Sequence, residues 1–227
     1  MQKIEKLFKG EFLTNPKSFR KKIKAIKAYI FDWDGVFNDG HKTETGSSSF
    51  SEIDSMGLNM LRFGHYLKNG DVPFTAIISG EQNKTAELFV KRESINAIYS
   101  GIKNKYHALD HFCRSKDINA SEVAFIFDDV LDLSIAQHCG LRIMVPRQCN
   151  PLFLRFVKKK GLADYFTYSK GSENAVREAA ELIMALHGEY DNVIQNRIDY
   201  SQTYQDYLEK RNASEPQFYK KEDLITQ

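Results

Sequence analysis

A short apolar run at residues 28–31 ends abruptly in two carboxylates one residue apart, Asp32 and Asp34, which are followed by Gly35. Four apolar residues bounded by Asp and Gly are typical of a buried strand that runs into a loop. Open parallel sheets bind their ligands at the carboxyl ends of the strands. An ordinary polar turn would have the same local sequence, because Asp and Gly are common turn residues. The meaning of the motif therefore depends on the residues at the carboxyl ends of the other strands.

Four further segments have the length and composition of buried strands: 74–78, 97–99, 123–127 and 141–145. The clearest segments with helical spacing between and after them are 57–69, 104–115 and 172–187. Continuously apolar strands that alternate with helices are typical of a parallel sheet covered on both faces. The sequence therefore predicts an α/β protein with a doubly wound, Rossmann-like parallel sheet and helices on both faces.

The interval between Gly40 and Phe74 is too short for a second domain. Residues 41–51 are rich in Thr, Ser and Gly and have no helical periodicity, so we predict a small β-hairpin insertion that turns near Gly46. The rest of the interval accommodates one helix. We therefore expect no cap domain over the carboxyl edge of the sheet.

Both ends of the 227-residue chain differ in composition from its centre. Residues 1–27 are polar with scattered apolar positions, and Asn15-Pro16 favours a helix start, which predicts a helical N-terminal extension. Residues 28–187 form the predicted sheet domain. Residues 188–227 form a predicted C-terminal extension, with one long amphipathic helix over 189–210 and a loose tail after it.

Composition excludes several classes of partner. The net charge is +2, from 32 basic and 30 acidic residues, which gives no reason to expect nucleic-acid binding. No apolar run approaches the ~18–20 residues of a membrane span, and the N-terminal segment has no apolar signal core. Three cysteines without metal-binding spacing fit a reducing compartment. We therefore expect a cytoplasmic protein without a membrane or nucleic-acid partner.

Polar residues follow four of the predicted strands: Asp32 and Asp34, Ser79 and Gly80, Lys105, and Asp128 and Asp132. Since the carboxyl ends of parallel strands lie at one edge of a sheet, we expect these side chains to lie close together. Carboxylates and water are the ligands that Mg²⁺ prefers. A divalent cation and a lysine suit a reaction in which negative charge moves onto a phosphoryl group. The sequence therefore predicts a magnesium-assisted phosphoryl-transfer site.

Four ordered motifs resemble those of the haloacid dehalogenase superfamily of phosphatases: Asp32-x-Asp34-Gly35-Val36, Ile77-Ile78-Ser79-Gly80, Lys105 and Asp128-x-x-x-Asp132. Four longer runs resemble a capless, tetrameric branch of it: Asp34-Gly35-Val36-x-x-Asp39-Gly40, Gly101-x-Lys103-x-Lys105, Asp128-Asp129-x-x-Asp132-Leu133 and Gly171-x-x-x-Ala175-Val176-Arg177-Glu178. That branch contains the 3-deoxy-D-manno-octulosonate 8-phosphate phosphatases and the similar neuraminate-type 9-phosphate phosphatases. The resemblance covers residues 28–187 and neither extension.

The resemblance implies a catalytic role for several positions. Asp32 would be the nucleophile that forms an aspartyl-phosphate, and Asp34 would protonate the leaving alcohol and then activate water. Ser79 and Gly80 would bind the phosphoryl oxygens. Lys105 would pair with both the phosphoryl group and the nucleophile.

The resemblance also implies a magnesium site. Asp128 would ligate the ion directly, together with Asp32 and the main-chain carbonyl of Asp34. Asp132 would hold the coordination shell, through water or through Lys105. Magnesium is therefore the expected cofactor, and Asp32, Asp34, Asp128 and Asp132 form the expected metal site.

Two positions depart from the family pattern. Phe127 stands where the family usually has Gly, directly before the metal-binding Asp128. Ile53 stands where the branch usually has Arg, a residue that could contact a substrate carboxylate. The phosphatase assignment is therefore supported by more of the sequence than the sugar-acid assignment.

The function that the resemblance implies is magnesium-dependent hydrolysis of a phosphomonoester of a sugar acid. The alternative is a non-catalytic assembly domain linked to sugar-acid or nucleotide-sugar metabolism, because related domains fused to cytidylyltransferases look mainly structural. With no cap domain, residues 41–51 of a neighbouring subunit would cover the site. We therefore expect a homo-oligomer, and the branch implies a tetramer.

Overall fold

The computed structural model describes residues 4–224. Its strands are β1 (Glu11–Phe12), β2 (Ala28–Phe31), β3 (Phe74–Ile78), β4 (Ala97–Tyr99), β5 (Val123–Phe127), β6 (Leu141–Met144), β7 (Tyr165–Phe166) and β8 (Gln217–Tyr219). They form one eight-stranded sheet in the order β1-β7-β6-β5-β2-β3-β4-β8. Only the β1–β7 pair is antiparallel among these strands. The predicted parallel sheet is confirmed.

The helices are α1 (Pro16–Ile23), α2 (Glu52–Asn69), α3 (Lys84–Arg92), α4 (Lys105–Lys116), α5 (Leu133–Ala136), α6 (Pro151–Lys160), α7 (Ala175–His187), α8 (Tyr190–Ile198) and α9 (Gln202–Asn212). Side-chain caps begin several of them: Ser51 accepts from the main chain at the start of α2, and Asn83 does so at α3. Capping side chains satisfy amide groups that the first turn leaves unpaired. No helix among residues 4–224 is long and apolar enough to span a bilayer.

Helices cover both faces of the sheet, as predicted. Alternate residues of β2 point to opposite faces: Tyr29 and Phe31 join one buried cluster, while Ala28 and Ile30 join the other. The first cluster is completed by α1, α2, α3, α7, α8 and α9, and the second by α4, α5 and α6. Two filled faces explain why the central strands are almost entirely apolar, with Thr75 of β3 as a buried polar exception.

The segment 41–51 differs from its prediction, because it contains no strand. A turn brings the amide of Thr43 to the carbonyl of Ser47 at 2.8 Å, but no ladder extends from it. Residues 41–46 are exposed. The insertion is therefore a loop with one tight turn, because its side chains Lys42 and Ser48 bond to the loop after β2 rather than across a hairpin.

The C-terminal extension was predicted incorrectly in two respects. The single helix over 189–210 is instead α8 and α9, which are separated at Tyr200, where φ is 45°. The tail is not loose: β8 adds a parallel strand beside β4, and the ring of Tyr219 stacks on Tyr99 with centroids 4.9 Å apart. The N-terminal extension likewise adds β1 to the other edge. The boundaries at 27/28 and 187/188 stay a prediction.

Candidate active site

The loop after β2 brings its carboxylates to the carboxyl edge of the sheet. Asp32 is only 6% exposed. Gly35 has φ of 88°, and a Cβ there would lie 2.1 Å from Asp128 Oδ2. Glycine therefore allows both the left-handed conformation and the close approach. Gly171 packs behind the same loop, because a Cβ on it would lie 2.0 Å from the carbonyl oxygen of Asn38.

Lys105, the first residue of α4, connects two carboxylates. Its Nζ donates to Asp32 Oδ1 at 2.7 Å and to Asp132 Oδ1 at 2.6 Å. Burial acts to lower the pKa of Lys105, but the two carboxylates outweigh it and hold this pKa above its ordinary value. Lys105 therefore stays charged and fixes the orientation of Asp32.

Three buried carboxylates form a cluster suited to a cation. One oxygen each of Asp32, Asp128 and Asp132 lies within 4.8 Å of the others, and no second group of this kind occurs in residues 4–224. Burial, followed by repulsion from neighbouring carboxylates, raises the pKa of Asp32 to about 7 and that of Asp128 to about 8. The cluster thus has a deficit of positive charge, which a divalent cation would correct.

Asp132 is oriented from both sides. Its Oδ2 accepts from the main-chain amide of Asp129 at 3.0 Å, while its Oδ1 accepts from Lys105. The side chain is fully buried. Asp132 therefore supports the loop that carries Asp128 and can orient a ligand shell around it.

Asp34 is held by the loop 41–51 of its own chain. Ser48 donates from Oγ to Asp34 Oδ1 at 2.6 Å, and Lys42 forms an ion pair with Oδ2. Ser48 in turn accepts from Asn83 Nδ2 at 2.7 Å. The insertion therefore positions the second carboxylate of the Asp-x-Asp motif.

The predicted site residues line one pocket of about 220 Å³. Its walls include Asp32, Asp34, Ser79, Gly80, Lys105, Asp128 and Asp132. A larger cleft of about 690 Å³ lies beside Lys24 and Pro73, near the start of β3 at the opposite edge of the sheet. The smaller pocket is the functional candidate, because it contains the carboxylate cluster. The structure brings together every site residue that the sequence predicted.

The two departures from the family pattern have simple structural outcomes. Phe127 is fully buried and stacks on Phe125 with centroids 5.2 Å apart, within the second core cluster. Its ring is therefore packed between sheet and helices, outside the pocket lining. Ile53 lies in the first turn of α2 and is 53% exposed.

Arg147 is a charged residue of the pocket that was not among the predicted site residues. It lies just after β6, where its Nε donates to Asp128 Oδ2 at 2.7 Å and its Nη2 lies 2.6 Å from the same oxygen in an ion pair. A signal was present, because β6 was a predicted strand whose carboxyl end lies at the same edge as the other four. The predicted strand ends before Pro146, and Arg147 is the next residue along the chain.

Comparisons with known proteins agree with this geometry. No family model matches the chain. The chain is 29% identical over 174 residues to the 3-deoxy-D-manno-octulosonate 8-phosphate phosphatase of Salmonella typhi, covering 75% of the chain and 85% of that protein. The crystal structure of such a phosphatase from Moraxella catarrhalis, in complex with magnesium, phosphate and the sugar acid KDO, is 29% identical with a TM-score of 0.67. That match covers 80% of the chain and 98% of the crystallised one.

A third relative belongs to the haloacid dehalogenase (HAD) superfamily. A protein from Legionella pneumophila assigned to the HAD superfamily (subfamily III A) of hydrolases is 30% identical, with a TM-score of 0.67, over 81% of the chain and 95% of that protein. The fold and the site define a Rossmann-like hydrolase with paired carboxylates at the carboxyl edge of a parallel sheet. The chain belongs to the haloacid dehalogenase superfamily of phosphatases and within it resembles the 3-deoxy-D-manno-octulosonate 8-phosphate phosphatases.

Proposed function

We propose that the chain is a magnesium-dependent phosphatase that hydrolyses the 8-phosphate of a 3-deoxy-octulosonate-type sugar acid through an aspartyl-phosphate on Asp32. The observation that carries the proposal is the buried contact of Lys105 with Asp32 and Asp132, next to Asp128. The names of the relatives support the eight-carbon substrate. A neuraminate-type 9-phosphate, which has the same carboxylate and phosphate groups, is the second substrate to test.

The residues present fit a magnesium ion. Asp32 and Asp128 would hold it with the main-chain carbonyl of Asp34, and Asp132 would orient the shell. The charge deficit of the three-carboxylate cluster supports this assignment. When bound, the ion offsets negative charge on the phosphoryl oxygens.

In the first step, a carboxylate oxygen of Asp32 attacks phosphorus and the bond from phosphorus to the alcohol oxygen breaks. Asp34 gives a proton to the leaving oxygen, and Ser48 holds Asp34 in place for this transfer. Lys105 and Ser79 donate hydrogen bonds to phosphoryl oxygens. The product of the step is an acyl phosphate on Asp32 and the free sugar acid.

In the second step, water attacks the same phosphorus atom and the bond to Asp32 breaks. Asp34, which is now a carboxylate, accepts a proton from the water. Inorganic phosphate leaves, and Asp32 and Asp34 return to their starting forms. One buried carboxylate and one partly exposed carboxylate thus serve as nucleophile and as acid and base.

A test is phosphate release from a panel of sugar phosphates, with and without magnesium. We expect the chelated protein to lose at least about a hundredfold in kcat/KM, and added Mg²⁺ to restore it, because the cluster needs positive charge. Sugar-acid phosphates should be preferred to sugar phosphates that lack a carboxylate. The proposal would be wrong if chelation left the rate unchanged, or if no ester in the panel were hydrolysed.

We also propose that the chain forms a homo-oligomer, a tetramer, in which residues 41–51 of one subunit lie near the Asp32 loop of another. The pocket of about 220 Å³ supports this proposal, because it is smaller than the roughly 300–1,000 Å³ of typical ligand sites. The tip of the insertion, 41–46, is exposed and polar. A neighbouring subunit could complete the wall around the sugar, and closed symmetric assemblies are common.

Light scattering at assay concentration tests the assembly. We expect four subunits for the full chain, and an altered mass for a variant with residues 43–46 replaced by a short glycine-serine turn. This replacement leaves Lys42 and Ser48, the two residues that contact Asp34, in place. A fully active monomer would contradict the proposal.

A further inference from the structure

The loop after β6 brings a second cation to the carboxylate cluster, on the side opposite Lys105. In the sheet order β6-β5-β2-β3-β4, Arg147 follows β6, while Ser79 and Lys105 follow β3 and β4. Arg147 and Lys105 therefore flank Asp32 and Asp128 from opposite sides. The proposed mechanism uses Lys105 and gives Arg147 no role.

The contact of Arg147 with the cluster is specific. Nε donates to Asp128 Oδ2 at 2.7 Å, and Nη2 lies 2.6 Å from the same oxygen in an ion pair. Nη1 donates to the carbonyl of Asp39 at 3.4 Å. Asp128 is buried, whereas the side chain of Arg147 is 36% exposed. The arginine thus reaches from the pocket mouth onto a buried carboxylate.

The guanidinium of Arg147 packs against the loop after β2, which carries Asp32 and Asp34. A Cβ on Gly35 would lie 2.1 Å from Arg147 Nη2, and a Cβ on Gly40 would lie 3.2 Å from the same atom. The two glycines therefore leave space for the planar group. This space holds the arginine in the pocket wall instead of in solvent.

The oxygen that Arg147 contacts belongs to the carboxylate that is expected to ligate magnesium. Asp32 and Asp132 already share Lys105, so Arg147 is the cation that compensates Asp128. A divalent ion held by Asp128 would share this carboxylate with the guanidinium and repel its positive charge. The ion would therefore weaken the arginine contact and leave the donors of Arg147 available to the pocket.

We infer that Arg147 is the counter-ion of Asp128 in the metal-free protein and a substrate-binding residue in the loaded protein, where its guanidinium donates to an oxyanion of the substrate. This inference rests on the proposed function. A guanidinium fork matches the geometry of both phosphate and carboxylate oxygens. The substrate thus gains a contact on the side opposite Ser79 and Lys105.

The first experiment measures magnesium binding by calorimetric titration of the metal-free protein. We expect Arg147→Gln to bind Mg²⁺ roughly tenfold more tightly than the wild type, because no guanidinium competes for Asp128. Arg147→Lys keeps the charge and should remain near the wild-type affinity. Arg155→Gln is the matched control, since it removes an exposed arginine on α6. An unchanged magnesium affinity in Arg147→Gln would overturn the counter-ion role.

The second experiment measures substrate recognition by the magnesium-loaded protein. Arg147→Gln should weaken binding of inorganic phosphate roughly tenfold and raise KM more than it lowers kcat. If the guanidinium contacts the phosphoryl group, KM rises for every ester, and if it contacts a carboxylate, KM rises only for sugar-acid phosphates. Unchanged KM values for both kinds of ester would overturn the substrate-binding role.

The two proposals fail separately. If the loaded wild type hydrolyses no ester, the proposed function is wrong, while the magnesium titrations still decide the counter-ion role. If the wild type is active and Arg147→Gln equals it in magnesium affinity and KM, only the inference about Arg147 is wrong.

Discussion

Replacing Asp32 with Asn is expected to abolish turnover while the fold is retained. The amide is nearly isosteric with the carboxylate and can still accept from Lys105, but it cannot attack phosphorus. We expect kcat to fall at least about a thousandfold, because the covalent route is lost. Steady-state phosphate release and circular dichroism of the same preparation measure activity and fold together.

The control for this variant is Asp129→Asn, which changes a nearby carboxylate that donates no oxygen to the cluster of Asp32, Asp128 and Asp132. Asp129 caps the short turn after β5 by accepting from the amide of Val130, and Asn keeps an acceptor there. We expect this control to retain most of its activity. A folded Asp32→Asn protein with appreciable turnover would refute the covalent mechanism.

Replacing Lys105 with Met should reduce both activity and stability. Lys105 is 2% exposed and is paired with two carboxylates. Breaking a buried ion pair costs about 3–5 kcal/mol of unfolding free energy, because the remaining charges are uncompensated. Turnover should also fall by about a hundredfold or more, since Asp32 loses its orientation and the phosphoryl group loses a cation.

The free energy of unfolding that Lys105→Met loses should be larger at high pH than at low pH. The pKa of Asp32 is already raised to about 7, and Lys105 is one of the groups that lower it. Without Lys105, the pKa of Asp32 in the folded protein rises further above its unfolded value. The folded protein therefore loses little stability at low pH, where Asp32 is protonated and neutral. It loses more at high pH, where Asp32 would have to carry an uncompensated charge.

Urea unfolding at about pH 5.5 and about pH 8.5 measures this difference, and the loss should be larger at the higher pH. Lys103→Met is the matched control, because the Lys103 side chain is 68% exposed and pairs with exposed Glu81. We expect the control to lose less than about 0.5 kcal/mol at either pH. An equal loss at both pH values in Lys105→Met would contradict the role of Lys105 as counter-ion.

The parallel sheet and the convergence of the site could be predicted because both follow from local sequence. Each central strand is apolar along nearly all of its length, so it is recognisable without knowledge of its neighbours. Once the strands are parallel, their carboxyl ends meet at one edge, and Asp32, Ser79, Lys105 and Asp128 must come together. This part of the prediction needed no tertiary detail.

The elements that were missed depend on contacts between distant parts of the chain. Gln217–Tyr219 forms β8 because it pairs in parallel with the edge strand β4. The amide of Ser100, directly after β4, donates to the carbonyl of Tyr219 at 3.0 Å. A three-residue segment has too little periodicity to predict this pairing. The break between α8 and α9 similarly lies in a sequence with good helical spacing. Tyr200 has a positive φ there, and Ser201 begins α9 by accepting from the amide of Tyr204.

The residues that hold the site were harder to predict than the residues that form it. Ser48 lies in the segment that was predicted as a β-hairpin turning near Gly46, yet its hydroxyl donates to Asp34 at 2.6 Å. Arg147 reaches Asp128 across the end of β6. Both contacts depend on side-chain reach and on the course of a loop, which sequence spacing does not specify.

The stereochemical course at phosphorus tests the role of Asp32 as nucleophile most directly. A sugar-acid phosphorothioate, made chiral at phosphorus by sulfur and one heavy oxygen isotope, is hydrolysed in water labelled with the third oxygen isotope. The configuration of the released inorganic thiophosphate, which carries sulfur and three different oxygen isotopes, is then determined. Transfer to Asp32 followed by transfer to water consists of two in-line displacements, each of which inverts the phosphorus centre. We therefore expect overall retention of configuration. Overall inversion would show direct attack by water and would contradict a covalent intermediate on Asp32.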